Sequence, residues 1–376
     1  MIWRPSYLLP MLSLLVACFP SASAAHEEGL APEILFIASY HKGDNWTDRL
    51  IDAFEHRVRD YRIDLDIHYE YMDRRRVKSD RAEQAFRRFL RDKYDGMKLD
   101  LVVCSDDEAL DFVVKHRNDL FNGVPVVFSG MSNLSRTDIG GNTGITGVAE
   151  APDPRGTLRI ALKLMPDTRH VAIINDLTAE GRVLRKMVEN ATASFPGVTF
   201  TFLENLSITD LLQRLQGLPQ ETVILQMAYD RKKEKTLSFS RYLQVLSKSV
   251  NFPVFSLWDH TVGNGVVGGR VVTSFGQGDE AARMTAKVLQ GERPGRLPVV
   301  LQEASLYMFD DRQLRRFGIS RRSVPDNSTI VAARTEKSLL DGNVLGGLAI
   351  PAAVTAAVLV GILRLRKWYK AWRGES

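Results

Sequence analysis

The sequence predicts an α/β protein made of two doubly wound lobes, followed by one C-terminal transmembrane helix. Three observations carry this. Apolar strand-like runs alternate with amphipathic helical stretches from residue 34 onward, the alternation restarts near residue 170, and residues 342–363 hold no charged side chain. Strands alternating with helices are the pattern of a parallel sheet covered on both faces. A second set of the same kind predicts a second, similar lobe. An uncharged stretch of ~20 residues, coiled as a helix, covers the ~30 Å hydrocarbon core of a bilayer.

The elements follow in order. Residues 34–39 form a continuous apolar run, as a strand buried on both faces should. Across 46–61, Leu50, Ile51, Phe54 and Val58 fall on one helical face. Ile63, Leu65, Ile67, Tyr69 and Tyr71 alternate as in a strand, and Ala82, Ala85, Phe86, Phe89 and Leu90 return to helical spacing. Residues 99–104 predict a strand, 107–116 a helix and 124–129 a strand. Residues 157–164 predict a bridging helix. The second set has strands at 170–175, 198–203, 222–227 and 254–257, and helices at 179–194, 208–218 and 237–249. A further helix is expected at 279–289 and a short additional element at 306–317. Residues 323–341 are polar and irregular and read as a juxtamembrane linker.

Both ends concern membranes. Residues 1–25 read as a secretory signal peptide: Arg4 supplies the positive start, 7–19 a short apolar run, and Ala22-Ser23-Ala24 a small-residue cleavage site. Leu15-Val16-Ala17-Cys18 also fits a lipobox, which would leave Cys18 lipidated instead of removed. Directly after the 342–363 segment come Arg364, Arg366, Lys367, Lys370 and Arg373, with Trp368, Tyr369 and Trp372 among them. Cations and interfacial aromatics in that position mark a cytoplasmic flank. The expected topology is a single-pass protein of the bacterial inner membrane, with its body in the periplasm and a basic tail, 364–376, in the cytoplasm.

Charge excludes one class of partner. Of the net +5, Arg4 contributes one and the basic tail four, so residues 26–363 are balanced. A nucleic-acid-binding body needs a surplus of Lys and Arg, so none is expected to bind here. With the signal removed, Cys104 is the only cysteine, and no internal disulfide can form.

In open parallel sheets, ligands bind beyond the carboxyl ends of the strands. Those ends here are rich in hydroxyls, carboxylates and aromatics, a mixture that suits a small organic ligand. The candidate ligand-binding residues are Ser39, Tyr40, Asp106, Asp107, Ser129, Gly130, Asp176, Thr178, Tyr229, Trp258 and Asp259, with Trp46 walling the same space. Asp106, Ser129 and Asp176 equally suit helix caps. Of the Asp106-Asp107-Glu108 cluster, one of the first two is expected to touch an amine or hydroxyl of the ligand, although acidic residues also favour a helix N-terminus. Arg74-Arg75-Arg76 reads as a solvated loop.

Enzyme signatures are weak. Gly263-Asn264-Gly265-Val266-Val267-Gly268 fits G-x-G-x-x-G in form, but it runs on into a strand-like Gly269-Arg270-Val271-Val272 rather than opening a helix, so a tight turn is expected. There is no G-x-S-x-G and no H-E-x-x-H, and the seven histidines lack ligand spacing. No catalytic residue, metal or cofactor is expected.

Several stretches together carry a family resemblance. They are residues 34–41 (Ile-Leu-Phe-Ile-Ala-Ser-Tyr-His) with Trp46-Thr47-Asp48, 105–110 (Ser-Asp-Asp-Glu-Ala-Leu), 124–130 (Val-Pro-Val-Val-Phe-Ser-Gly) and 147–150 (Gly-Val-Ala-Glu). Asp176 with Gly181, residues 253–259 (Pro-Val-Phe-Ser-Leu-Trp-Asp), and Phe309-Asp310 with Phe317-Gly318-Ile319 continue the series. Over about 33–345 the chain resembles the periplasmic ABC-transporter substrate-binding-like family, as found in the sensor regions of bacterial membrane signalling proteins. The resemblance implies a type I periplasmic binding fold: two Rossmann-like lobes that close on a ligand, lobe one being 33–147 with 260–322 and lobe two 148–259. Sensors of this kind continue past the membrane into a kinase or nucleotide-cyclase domain, whereas only 364–376 follow here. The expected output is therefore on another chain, a histidine kinase or nucleotide cyclase. The alternative is a solute-binding component of an ABC transporter, with a permease as partner. A homodimer would ease signalling through one helix, although no sustained heptad pattern accompanies it.

Overall fold

A computed structural model of the chain describes residues 31–132, 144–229, 237–303 and 306–331. The first half runs β1 (Glu33–Ala38), α1 (Asn45–Asp60), β2 (Asp66–Tyr71), α2 (Asp80–Lys93), β3 (Leu101–Ser105), α3 (Asp106–Leu120), β4 (Val126–Met131) and β5 (Ile145–Ala151). Next come α4 (Pro154–Leu164), β6 (His170–Asn175), α5 (Ala179–Thr192), β7 (Thr199–Glu204), α6 (Ile208–Gln216), β8 (Thr222–Gln226), α7 (Phe239–Ser249) and β9 (Val254–Ser256). The chain continues through β10 (Gly268–Val271), α8 (Ser274–Leu289), β11 (Val300–Glu303), β12 (Leu306–Asp310), α9 (Asp311–Arg316) and β13 (Thr329–Val331).

These strands form two sheets, ordered β11-β5-β4-β3-β1-β2 and β13-β12-β10-β9-β8-β6-β7. Every neighbouring pair is parallel except β10 with β12. The sequence pattern explains the layering. Central β1 is sealed from water from Ile34 to Ile37, which accounts for its unbroken apolar run, whereas edge strand β2 is mostly half-exposed and alternates. Helices start where short polar side chains can cap them: Asp44 accepts the Trp46 and Thr47 amides, and Ser79, Asp153, Thr178, Ser207, Ser238 and Thr273 do the same for later helices.

The chain passes between the sheets three times, at 151–154, 271–274 and 303–306. The expected assignment of 260–322 to the first lobe is therefore corrected. Within 260–322, α8, which packs on α1, and β11, which pairs with β5, join the first lobe, while β10 and β12 extend the second sheet. Likewise, 148–151 belong to β5 of the first sheet. The expected irregular linker 323–341 contains β13, which pairs with β12. The element at 306–317 resolves into a strand and a short helix, and β5 and β11 are additions to the predicted set. The glycine-rich stretch is a turn, with Gly263 and Gly265 at φ of 93° and 103°, leading into β10. Cys104 is buried within β3.

The expected signal peptide 1–25, transmembrane helix 342–363 and basic tail 364–376 lie outside the described residues. Among the described residues, no helix is long and apolar enough to cross a membrane.

Candidate functional site

Each sheet has one topological switch point, where connections leave a strand in opposite directions: between β1 and β3 in the first and between β6 and β8 in the second. Crevices for ligands open at the carboxyl ends of such strands. Ser39 and Asp106 follow β1 and β3 directly, and Asp176 and Tyr229 stand beyond the ends of β6 and β8.

On the first lobe the predicted residues converge. The Trp46 indole donates to Asp106 Oδ1 at 2.8 Å, and both side chains are buried. Asp106 opens α3 with φ of 70°, a left-handed conformation that costs a non-glycine residue about 1–2 kcal/mol. Its Oδ2 has no hydrogen-bond partner. Gly130, with φ of 68°, lies so close that a Cβ there would stand 2.9 Å from Asp106 Oδ1, and its amide donates to Gln277 Oε1 at 2.8 Å. The neighbouring Ser129 hydroxyl is buried without a partner. Asp107 accepts from the Ser132 amide and hydroxyl. The Arg75 guanidinium lies 3.9 Å from the Tyr40 ring centre and donates to Asp44 at 2.9 Å. This corrects the reading of 74–76 as a solvated loop: Arg75 packs into the site, and only Arg76 of the three is largely exposed.

Ser39 is placed otherwise. Its hydroxyl donates to the Ser105 carbonyl and accepts from the Ala109 amide, both at 2.7 Å, so it ties β1 to α3. Asp259 also works structurally through one oxygen: Oδ2 accepts from the Ser274 amide and hydroxyl at the start of α8.

On the second lobe, Asp176 Oδ1 accepts from Thr178 N and Oγ1, and Thr178 Oγ1 in turn caps α5 through the Gly181 amide. Here the capping alternative describes both residues. Tyr229 stacks on Tyr242 with ring centres 3.8 Å apart. Together with Asp176 it lines a small pocket at the ends of β6 and β7. Trp258, at the end of the β9 segment, reaches back to the first lobe: its indole donates to Glu150 Oε2 at 2.9 Å.

Aromatic rings bridge the lobes. Trp46 of α1 meets the His260 ring edge-on at 5.5 Å, and His260 meets Phe239 of α7 at 5.8 Å. Phe239 stacks towards Tyr242 at 5.9 Å, which completes a run from Trp46 to Tyr229.

Electrostatics separate this region from the rest of the surface. Burial pushes the Asp106 carboxyl well above the ordinary range, with Arg75 opposing and Glu108 adding to the rise. Glu150 is raised in the same way by burial; the Trp258 indole opposes, and the charges of Glu180, Asp106 and Asp107 reinforce it. Glu180, in the first turn of α5, is pushed up to about 7 by burial and by Asp107 and Asp176. Burial, aided by Arg75, brings His260 down to about 3, so its ring is neutral at physiological pH. Burial and the Asp106 charge likewise hold the Tyr40 phenol protonated. Perturbed groups of this kind, gathered where two lobes meet, make this the candidate functional region.

Arg75, Glu150, Glu180 and His260 thus join the candidate site, and the sequence did not single them out as ligand-binding residues. Glu150 sat in the 147–150 stretch of the family resemblance, which was the one available signal; Glu180 looked like any acidic first-turn residue. Elsewhere, Glu33, Asp66 and His68 bring ligand-type atoms within 4.8 Å of one another. They stand at the opposite end of the β1–β2 pair, and His68 Nε2 already meets Glu33 Oε2 at 2.8 Å, an imidazole–carboxylate pair that satisfies both without an ion.

Comparison with known proteins places this architecture. The family profile described as ABC transporter substrate binding protein matches residues 57–327. A search of curated proteins gives no significant match. Among solved structures, an ABC domain in complex with L-Trp from Streptococcus pneumoniae is 13% identical with a TM-score of 0.62, covering 80% of this chain and 100% of that one. A conserved domain protein from Vibrio cholerae is 14% identical with a TM-score of 0.62, covering 81% and 100%. A ligand-free, open substrate-binding protein with adhesive properties from Clostridium difficile is 13% identical with a TM-score of 0.58, again covering 81% and 100%. At such identities these structures establish the fold, and the profile, spanning well over half of the chain, establishes the kinship. The chain belongs to the ABC transporter substrate binding protein family, with the two-lobed type I periplasmic binding fold.

Proposed function

We propose that this protein is a membrane-anchored periplasmic receptor whose two lobes close on a small organic ligand, and that it serves as the sensing component of a signalling system whose output is carried by a partner chain. The observation that supports a closing cleft is the ring contact of first-lobe Trp46 with His260 and of His260 with second-lobe Phe239. A ligand bound beside these rings would touch both lobes, and only a ligand that binds the closed state better than the open one shifts the balance between them. The uncharged 342–363 segment and the basic residues after it supply the anchor in this reading. No catalytic role is assigned.

A second reading has its own support. The matching profile describes transporter substrate-binding proteins, so delivery of the ligand to an ABC permease is the alternative. The two differ in partner. Cross-linking in native membranes, followed by identification of captured chains, should yield a kinase or cyclase under the first reading and a permease with its ATPase under the second.

Ligand binding itself is tested by thermal shift of the purified full-length chain against amines, amino acids, sugars and organic acids. A ligand at 100 times its Kd adds about 2.7 kcal/mol to stability, which raises Tm by several degrees in a domain of this size. Trp46→Ala should abolish the rise while the unliganded protein still melts cooperatively. A full-sized rise in that variant places the ligand somewhere else.

A further inference from the structure

The region where the lobes meet gathers more carboxyl groups than cations, and burial holds several of those carboxyls protonated. From the first lobe come Asp106 and Asp107 at the start of α3 and Glu150 in β5; from the second come Asp176 and Glu180 around the start of α5. They share one electrostatic neighbourhood: Glu150 is influenced by Glu180, Asp106 and Asp107, and Glu180 by Asp107 and Asp176. The cation that acts on both Asp106 and Glu180 is Arg75, and its guanidinium is already engaged by Asp44 at 2.9 Å and by the Tyr40 ring. Glu108 is met by Lys78 at 3.3 Å. His260 adds no charge, because burial keeps it neutral.

Two further observations point to polar recognition here. Asp106, 5% exposed, has an oxygen without a hydrogen-bond partner, and Ser129, 1% exposed and one residue from Gly130, has an unpartnered hydroxyl. Buried polar atoms of this kind are ordinarily satisfied. The helix N-termini at α3 and α5, which would otherwise welcome an anion, already carry Asp106, Asp107 and Glu108 in one case and Glu180 in the other. A ligand carboxylate would face these groups, whereas an ammonium or amidinium would be drawn to them. The Tyr40 ring already carries one cation, the Arg75 guanidinium, on its face.

Resting on the reading of this cleft as the ligand site, we infer that it selects organic cations: molecules carrying ammonium or amidinium groups and no carboxylate, held by Asp106 from one lobe and Glu180 from the other. Bridging carboxylates of both lobes, the cation itself draws the cleft shut.

The test is isothermal titration of the full-length chain at pH 8 and low salt with spermidine and choline as cationic probes, and with L-tryptophan, myo-inositol and citrate as zwitterionic, neutral and anionic ones. At least one cationic probe should bind, with affinity that falls as salt rises. Asp106→Asn and Glu180→Gln should each weaken it at least tenfold; both are isosteric, and Asn tolerates the left-handed backbone at 106. Glu150→Gln provides a third variant should either of these fail to fold. Binding of tryptophan, myo-inositol or citrate without binding of the cations overturns the charge selection and leaves the cleft as a ligand site. Cation binding that all three variants leave unchanged also overturns it, because the probe then sits elsewhere. Silence from all five probes rejects cation selection, and a blank thermal-shift panel besides rejects the binding reading beneath it.

Discussion

Replacing Gly278 with valine is expected to destabilise the first lobe by about 3 kcal/mol or more. Gly278 sits on α8 where that helix crosses α1, and a Cβ there would lie 2.0 Å from the Leu50 carbonyl oxygen and 3.0 Å from the Phe54 amide nitrogen. Both are backbone atoms inside a helix, so no side-chain rotation relieves the clash. The helices must part, and Leu50 and Phe54, both sealed from water, lose packing partners along the seam. Because Trp46 stands in the first turn of α1, the shift should also displace the indole from Asp106 and weaken ligand binding. Urea denaturation of Gly278→Val and Gly278→Ala beside the parent is the measurement. Gly217→Ala serves as the control: its Cβ would meet only the Arg214 carbonyl, at an ordinary 3.6 Å, and should change stability by no more than ~0.5 kcal/mol. A valine variant as stable as the parent would refute the close helix crossing.

Stability of the ligand-free protein should fall as pH rises from about 6.5 to 8. Glu180 holds its proton to about 7, and burial keeps Asp106 and Glu150 protonated well above the ordinary carboxyl range. An unfolded chain releases these protons near pH 4. Between that pH and the raised folded values the native state binds more protons, so each step up in pH favours unfolding. His260, His116 and His170 act in the opposite sense. Burial lowers all three, so they cost stability as pH drops below about 6.5, where the unfolded imidazoles charge. That is why the carboxylate effect reads cleanly only above this point. Glu180 should account for about 1 kcal/mol across the window, or roughly 2 °C in Tm. Glu180→Gln should flatten the slope, and a saturating organic cation should do the same by stabilising the charged carboxylates. A Tm that climbs between pH 6.5 and 8, or an unaltered slope in the glutamine variant, would contradict the placement of Glu180 against Asp107 and Asp176.

The candidate site was legible in part, and the reason differs by residue. Trp46, Asp106 and Gly130 were found because they lie at strand ends or beside the first helix, where sheet topology directs ligands. Ser39, Thr178 and Asp259 have the same sequence credentials, but their side chains hold helices and strands together. Position along the chain does not distinguish a hydroxyl turned to an amide from one turned to a ligand. Arg75 was missed because three arginines in a loop read as solvated, and nothing local reveals that one of them will find a tyrosine ring and an aspartate.

What the sequence determined alone is the alternation of strands and helices, the buried character of β1, β3, β4, β6 and β8, and the polar make-up of the loops behind them. These are local properties, since side-chain periodicity records which face of an element meets the core. Only the tertiary structure decided that β10, β12 and β13 extend the second sheet while α8 and β11 return to the first. It alone also brought Glu150, Glu180 and Arg75 around Asp106 and Asp107. Strand pairing is made by backbone groups that every residue carries, and these charges, far apart in the chain, meet only after the chain has crossed from the first lobe to the second. Neither leaves a periodic trace in the order of the amino acids.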